Sequence, residues 1–318
     1  MEEKKIKEFS FEIQKIFQQD IGNRGIKDTF EKFPNILFES AKCLYSSCLG
    51  MGIFSGFFIP STNSSETDGP LGMFSIVNAF LRIKKSVPVY IIIDKNNEII
   101  INETFKELID EFKERLNFVV FQSKEEIEGK KGKDLLSKLD VLISIERVGR
   151  AKDNIFYNMR AVDISSFTLP LDSLFLQIKE TKQEIKTIAI GDGLNETGMG
   201  IFYEIAKKNV RFGETIGCVV DSDYPITAGV SNWGGDGLAI VLIAFSCLNN
   251  SQLKVELSKI FPTFFLLSKI LDNILEKGAV DGISHKSERS VDGLKFDKVH
   301  KEILDKSKEK FEEFFFTF

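Results

Sequence analysis

Two apolar patterns alternate along the chain. Short unbroken runs, Pro88–Ile93, Phe118–Phe121, Val141–Ile145, Thr187–Ile190 and Ile216–Val220, predict strands buried on both faces. Gly52–Ile59, which ends at Pro60, is a further short apolar run. Between these, apolar residues recur every three or four positions. Phe74, Val77, Phe80 and Leu81 lie in phase within Leu71–Lys84. Phe105, Leu108, Ile109, Phe112 and Leu116 do so within Thr104–Leu116. Leu171–Lys182, Thr197–Asn209, Leu238–Leu248 and Phe264–Leu275 complete the predicted internal helices. Asp94–Glu98 reads as a polar turn, with Ile99–Ile101 as a hairpin return. The charged, Gly-containing stretch Lys124–Lys138 separates two of the strands. Strands alternating with helices of this length predict an α/β fold: a mostly parallel sheet with helices on both faces, Rossmann-like and doubly wound.

Both ends read as helical additions. Ile6, Phe9, Ile13, Ile16 and Phe17 mark one face of an N-terminal amphipathic helix. Phe296, Val299, Ile303, Leu304, Phe311 and Phe314 do the same near the C-terminus. No linker-like or low-complexity tract interrupts the chain. A single domain over 1–318 is expected, with a helical extension over 1–40 and a C-terminal amphipathic helix over 296–318. The most apolar stretch, Gly237–Leu248, is far short of the roughly 18 apolar residues a membrane span requires. The N-terminus carries Glu2, Glu3, Glu8 and Glu12 and no long apolar core, which is unlike a presequence. These features predict a soluble cytoplasmic protein.

Composition narrows the chemistry. Lys and Arg total 42 against 47 Asp and Glu, a net charge of −5, and the basic residues alternate with acids, which argues against nucleic acid. Only 2 His leave almost no material for a His-ligated metal or a His-based triad. Any catalysis must therefore use carboxylates, Arg, Asn, Lys or backbone amides. Cys43, Cys48, Cys218 and Cys247 form no CxxC pair and read as reduced thiols. The 30 Phe, mostly at helical spacing, read as core filling.

Ligands of parallel α/β sheets bind beyond the carboxyl ends of the strands. Three Gly-rich polar segments are candidates for those loops. Pro60–Pro70 joins a strand to a helix and carries Glu66 and Asp68; Thr67 or Asp68 capping the helix is an equal alternative. Gly191–Gly200 carries Asp192, Asn195 and Glu196 among Gly191, Gly193, Gly198 and Gly200. It is neither a dinucleotide fingerprint nor a P-loop, and its acids suit an ammonium group or a hard cation. Ala228–Gly237 holds Ser231, Asn232, Gly234, Gly235 and the lone Trp233. If the following helix starts near Asp236, Ser231 and Asn232 have no capping duty and point to a ligand contact, with Trp233 as a core plug the competing reading. Arg147, Arg150 and Arg160 cluster in one polar segment, Glu146–Asp163, and suit carboxylate capture or pairing with neighbouring acids. His300 reads as structural. His285 lies in a polar loop that could reach a site.

Glu66-Thr67-Asp68-Gly69-Pro70, Glu146-Arg147-Val148-Gly149-Arg150-Ala151, Tyr157-Asn158-Met159-Arg160, Asp163-Ile164-Ser165, Gly191–Gly200 and Gly229–Gly235 stand in that order. With the Asp281-Gly282 and Asp292-Gly293 turns, they resemble the C-terminal domain of the D-glutamate cyclase family over about residues 45–305. Ala161 and Leu194 stand where Gly is expected. The resemblance implies a hydro-lyase that closes D-glutamate to 5-oxo-D-proline. Longer members carry a further N-terminal domain, so a separate partner equivalent to it is an expectation.

For that reaction, Asp192 or Glu196 is the candidate base. Arg147 or Arg150, with Glu66 or Asp68, is the candidate for neutralising the attacked carboxylate. Arg160 with the Gly193 and Gly234 loops is the candidate clamp for the other carboxylate. Asn158, Asp163, Gly191, Asn195, Ser231, Asn232 and Gly235 complete the expected binding set. A divalent cation on Asp68, Asp192 and Glu196 is a further option. Two other classes use the same loops: a non-catalytic binding or partner module for an acidic metabolite, and a metal-dependent enzyme acting on nucleotides or phosphates.

Overall fold

The computed structural model describes residues 2–249 and 257–316. Its strands are β1 (Met51–Ser55), β2 (Phe58–Ile59), β3 (Ser64–Ser65), β4 (Val89–Asp94), β5 (Leu116–Phe121), β6 (Val141–Ile145), β7 (Lys186–Gly191), β8 (Tyr224–Thr227), β9 (Ser290–Val291) and β10 (Leu294–Lys295). Six form one parallel sheet in the order β5-β4-β1-β6-β7-β8. The other four make two small antiparallel hairpins, β2–β3 and β9–β10.

Alternation along the sheet strands separates two cores. Met51, Ile53, Ile91, Ile143, Ile188 and Ile226 face one side. Phe54, Ile92, Leu142 and Ala189 face the other. The first side is covered by α1 (Glu2–Phe17), α3 (Ile36–Ser46), α4 (Pro70–Ile83) and α5 (Glu98–Phe112), and by α11 (Ser231–Asn249), α13 (Phe264–Glu276) and α14 (Lys301–Phe316). The second is covered by α6 (Lys124–Glu128), α7 (Lys130–Leu136), α8 (Ser173–Thr181), α9 (Tyr203–Asn209) and α10 (Gly213–Ile216). Two short helices, α2 (Ile26–Lys32) and α12 (Leu257–Ile260), complete the set. The doubly wound α/β expectation is met, and both terminal helices pack on one face, where Phe9 stacks on Phe314 at 4.5 Å. All four cysteines are unbridged. No helix among the described residues is long and apolar enough to cross a membrane.

Three local expectations are corrected, and one stretch read only as charged gains structure. Ile99–Ile101 belongs to α5 rather than to a hairpin: Asp94 accepts the Asn96 N–H, the chain turns into the helix, and Ile100, Ile101, Phe105 and Leu108 bury one side. Lys124–Lys138 folds as α6 and α7, with the Ser123 hydroxyl accepting the Glu126 N–H at the start of α6. Ile216–Val220 is not a strand. The sixth strand is β8, and Pro225 is tolerated there because β8 is a sheet edge. Finally, α11 starts at Ser231 rather than near Asp236.

The last difference has a physical cause outside the helix itself. The first N–H groups of an α-helix have no partner within it. At α11, Asp68 supplies the acceptors: Oδ2 for the Ser231 N–H (3.0 Å) and Oδ1 for the Asn232 N–H (2.8 Å). Asn232 returns the service to α4, its Oδ1 accepting the N–H groups of Gly69 and Gly72, each at 2.9 Å. The two helices thus cap each other. Their backbones touch where a Cβ on Gly235 would lie 2.6 Å from Gly72 Cα.

Gly235→Ala is expected to destabilise the fold by about 1–3 kcal/mol, the usual cost of overpacking, because backbone atoms cannot yield to the new methyl group. Urea denaturation measures this. An unchanged midpoint would mean that the helices can separate without cost.

Candidate active site

The sheet order reverses between β1 and β6, the point at which doubly wound sheets open a crevice. Acidic residues converge there from separate connections. Glu146 follows β6, and Asp192 and Glu196 follow β7. Glu66 and Asp68 lie between β3 and α4, and Asp292 lies in the β9–β10 turn. Arg24 arrives from the connection between α1 and α2. Except for Asp68, which lies outside the lining, these side chains line a cavity of about 340 Å³ together with Asn158, Met159, Arg160 and His285.

Most of the acids are held by named partners. Asp68 accepts from Gly69 N–H in addition to the two α11 amides. Glu146 sits at φ +42°, and its side chain accepts the Ser231 hydroxyl. Glu196 Oε1 accepts the N–H groups of Gly193 (2.6 Å) and Asp192 (3.1 Å). Asp192 Oδ1 accepts from Arg24 Nη1 at 2.7 Å, while Arg24 Nη2 lies 3.5 Å from Asp292. Three buried carboxylate oxygens of the cavity are left without a hydrogen-bond partner: Glu66 Oε1, Asp192 Oδ2 and Glu196 Oε2.

Electrostatics follow from this crowding. Burial and then neighbouring carboxylates push Glu66 and Glu146 well above the usual range. Burial is also the main cause for Glu196, partly opposed by the amides it accepts. Burial raises Asp192 well above its usual range against the opposing pull of Arg24. Asp68 is pushed up to about 7, chiefly by burial, with its three backbone amides opposing. Arg24 is held more firmly protonated, mainly by Asp192. So many buried acids around one guanidinium cannot all ionise alone. The arrangement suits protons, an ammonium group or a metal cation.

Glu66, Asp68, Asp192 and Glu196 of the sequence-derived set come together here, with Asn158 and Arg160 in the lining and Ser231 and Asn232 beneath it. Other members lie elsewhere. Arg147 is buried and donates to Asp94 (2.6 Å) and to the carbonyls of Gly56 and Leu169. Arg150 grips Asp172 with Nε (2.7 Å) and Nη2 (2.9 Å). Asp163 closes its own turn by accepting Ser165 N–H. Asn195 donates to the Tyr157 carbonyl and so steadies the Asn158–Arg160 segment. Gly191 leaves room for Glu196, since a Cβ there would lie 2.7 Å from its Oε2, and a Cβ on Gly193 would meet Asn195 Oδ1 at 2.8 Å. Gly234 belongs to α11, packed on Ile190. Trp233 is core, its indole N–H donating to His300 Nδ1, and burial pushes His300 down to about 4. At the cavity rim, Arg160 Nη1 donates to His285 Nε2 (3.0 Å), whose Nδ1 contacts the Ser61 hydroxyl.

Arg24, Glu146 and Asp292 are not among the site residues expected from sequence. The likeness of Ala279-Val280-Asp281-Gly282 to Ser290-Val291-Asp292-Gly293 is the available signal for the last. The two turns are joined by Gly293 N–H donating to Asp281, and both Gly282 and Asp292 reach the cavity. Ala161 and Leu194, standing where Gly was expected, do adopt left-handed backbone, at φ +57° and +63°.

Residues 13–308 match the family described as D-glutamate cyclase-like, C-terminal. The chain is 30% identical to human "D-glutamate cyclase, mitochondrial" over 317 residues, covering 93% of this chain and 50% of that protein. It therefore spans about half the length of this curated relative.

Next to the site, Asp236 is buried on α11, accepts the Ser75 hydroxyl at 2.6 Å and is pushed up to about 8 by burial. An acid raised on folding binds its proton more tightly in the native state. Its contribution is therefore complete below the unfolded value near 4 and is lost as pH rises through about 8. Asp236→Asn is expected to match the parent at pH 4 and to gain relative stability up to pH 8 in thermal melts. A constant difference across that range would show that Asp236 does not carry the proton.

Proposed function

This chain belongs to the D-glutamate cyclase-like family, and from that premise we propose that it closes D-glutamate to 5-oxo-D-proline with loss of water. The observation that carries the reading is the pairing, in one cavity, of buried acids with Arg24 inside and Arg160 at the rim. The acids match an ammonium group, and the two guanidiniums match two carboxylates.

The ring closes when the amine nitrogen bonds to the side-chain carboxyl carbon and one C–O bond of that carboxyl breaks. Starting from the ammonium and two carboxylates, nitrogen gives up two protons and the departing oxygen takes two, leaving as water. Net charge is conserved, so the site must move protons rather than consume them. Glu66 and Glu196 suit this task, because each presents an unpartnered oxygen and a raised proton affinity. One takes a proton from nitrogen while the other delivers one to oxygen, and with their roles exchanged for the second proton both return to their starting states. Arg24, oriented by Asp192, faces the carboxyl that becomes the tetrahedral oxyanion. Arg160, positioned by His285, receives the remaining carboxylate at the rim. Holding both ends of one short substrate supplies the proximity that a five-membered closure exploits. The unbridged cysteines suit a reducing cytoplasm, where we place the reaction.

Purified protein incubated with D-glutamate, with 5-oxoproline followed by proton NMR, tests the reading. Turnover is expected, and Glu66→Gln and Glu196→Gln should each lower kcat by about 100-fold or more, as loss of a general acid or base does. Arg160→Ala should mainly raise KM. Absence of product from the parent protein, or full activity in the Glu66→Gln/Glu196→Gln pair, would remove the proposal.

A further inference from the structure

We propose that Asp68, Glu146 and Asp192 form a binding site for one hard divalent cation beside the cavity. Each offers a carboxylate oxygen, and the three oxygens lie within 4.8 Å of one another. That span is about twice a metal–oxygen bond of roughly 2.1 Å for magnesium or 2.3–2.6 Å for calcium. A single ion between them can reach all three.

An acidic cluster alone would not identify a site. The second observation is the unpartnered Asp192 Oδ2, on a side chain only 5% exposed. Arg24 does not satisfy it, because its Nη1 is engaged with Oδ1 and its Nη2 is directed at Asp292. A buried carboxylate oxygen without a partner is costly, and a cation supplies the missing one.

The candidate ligands are also held in place before any ion arrives. Asp68 is fixed by three backbone amides, and its Oδ2, which accepts from Ser231 alone, retains a lone pair. Glu146 is fixed by the Ser231 hydroxyl. Such outer contacts orient metal ligands. The donors are all oxygen, with neither His nor Cys, which selects magnesium, manganese or calcium over zinc or copper. Three protein ligands leave coordination positions for water or a substrate carboxylate. Relative to the set expected from sequence, Glu146 takes the place of Glu196, because the oxygens that lie within 4.8 Å of one another belong to Asp68, Glu146 and Asp192. The binding site stands on this geometry alone. Its use in ring closure, lowering the negative charge on the attacked carboxylate, rests on the function proposed above.

Manganese titration of the chelator-treated full chain, read by electron paramagnetic resonance, tests the site, with calorimetry for magnesium and calcium. The expected result is about one ion per chain and a melting temperature that rises with cation concentration. Glu146→Gln and Asp192→Asn should each weaken binding at least tenfold, while Asp305→Asn, at the exposed face of α14, binds as the parent does. Glu146→Gln should melt at or above the metal-free parent, since it removes a buried like charge and breaks no ion pair, so lost binding is separable from lost fold. No bound manganese at millimolar concentration, or stoichiometric binding retained by the Glu146→Gln/Asp192→Asn pair, would overturn the site. Measuring 5-oxoproline in parallel separates the two proposals. Binding without turnover keeps the site and rejects the reaction, whereas turnover without binding does the reverse.

Discussion

The reciprocal cap between Asp68 and Asn232 is the constraint on which the rest of the structure depends. Two apolar helices, α4 and α11, begin in the interior, where water cannot satisfy their first N–H groups. Each takes its acceptor from the other's leading segment. This fixes the α4 lead-in, which carries Glu66, against the start of α11. It also brings Gly72 and Gly235 into backbone contact. Ser231, freed from capping its own helix, uses its hydroxyl to hold Glu146. The packing of the fold and the placement of the acids are therefore one arrangement.

The cost of that arrangement is buried negative charge. Backbone amides offset part of it at Asp68 and Glu196, and Arg24 offsets part at Asp192. The N-terminal segment that brings Arg24 is locked to the body of the protein. Gly229 N–H donates to the Phe17 carbonyl, and Gln18 donates to the Thr227 carbonyl. Asp20 then accepts the Arg24 and Gly25 N–H groups, which sets the turn that aims the guanidinium. The N-terminal segment thus contributes Arg24 to the lining of the cavity. The acidity still unbalanced after Arg24 is what makes an ammonium substrate, or a cation, a matched occupant.

How far the sequence revealed this depended on whether the relevant physics was local. The parallel sheet was legible because runs such as Val141–Ile145 can be buried on both faces and little else. The start of α11 was not, because its cap comes from Asp68, far away in the chain. Ile99–Ile101 misled because three β-branched residues look like a strand, while the helical phase only shows once Phe105 and Leu108 are counted with them. The Gly-rich loop with Asp192 and Glu196 was readable as a site from its unusual mix of Gly and acids. The arginines were not separable: Arg147, Arg150 and Arg160 look alike in sequence, and only the distant Asp94, Asp172 and His285 distinguish their tasks. Arg24 stands between two helices with no motif around it. Buried acids this close together need a cation beside them, and only the fold says which residue supplies it.

The central claim is that this acid-lined cavity holds D-glutamate with its amine among the carboxylates and its two carboxylates on Arg24 and Arg160. A crystal structure of the Glu196→Gln variant with D-glutamate tests it most directly. The account predicts the amine within hydrogen-bonding distance of Glu66, the side-chain carboxylate against Arg24 and the other carboxylate against Arg160. D-glutamate bound outside the cavity, or inside it with the amine turned away from Glu66, would contradict it.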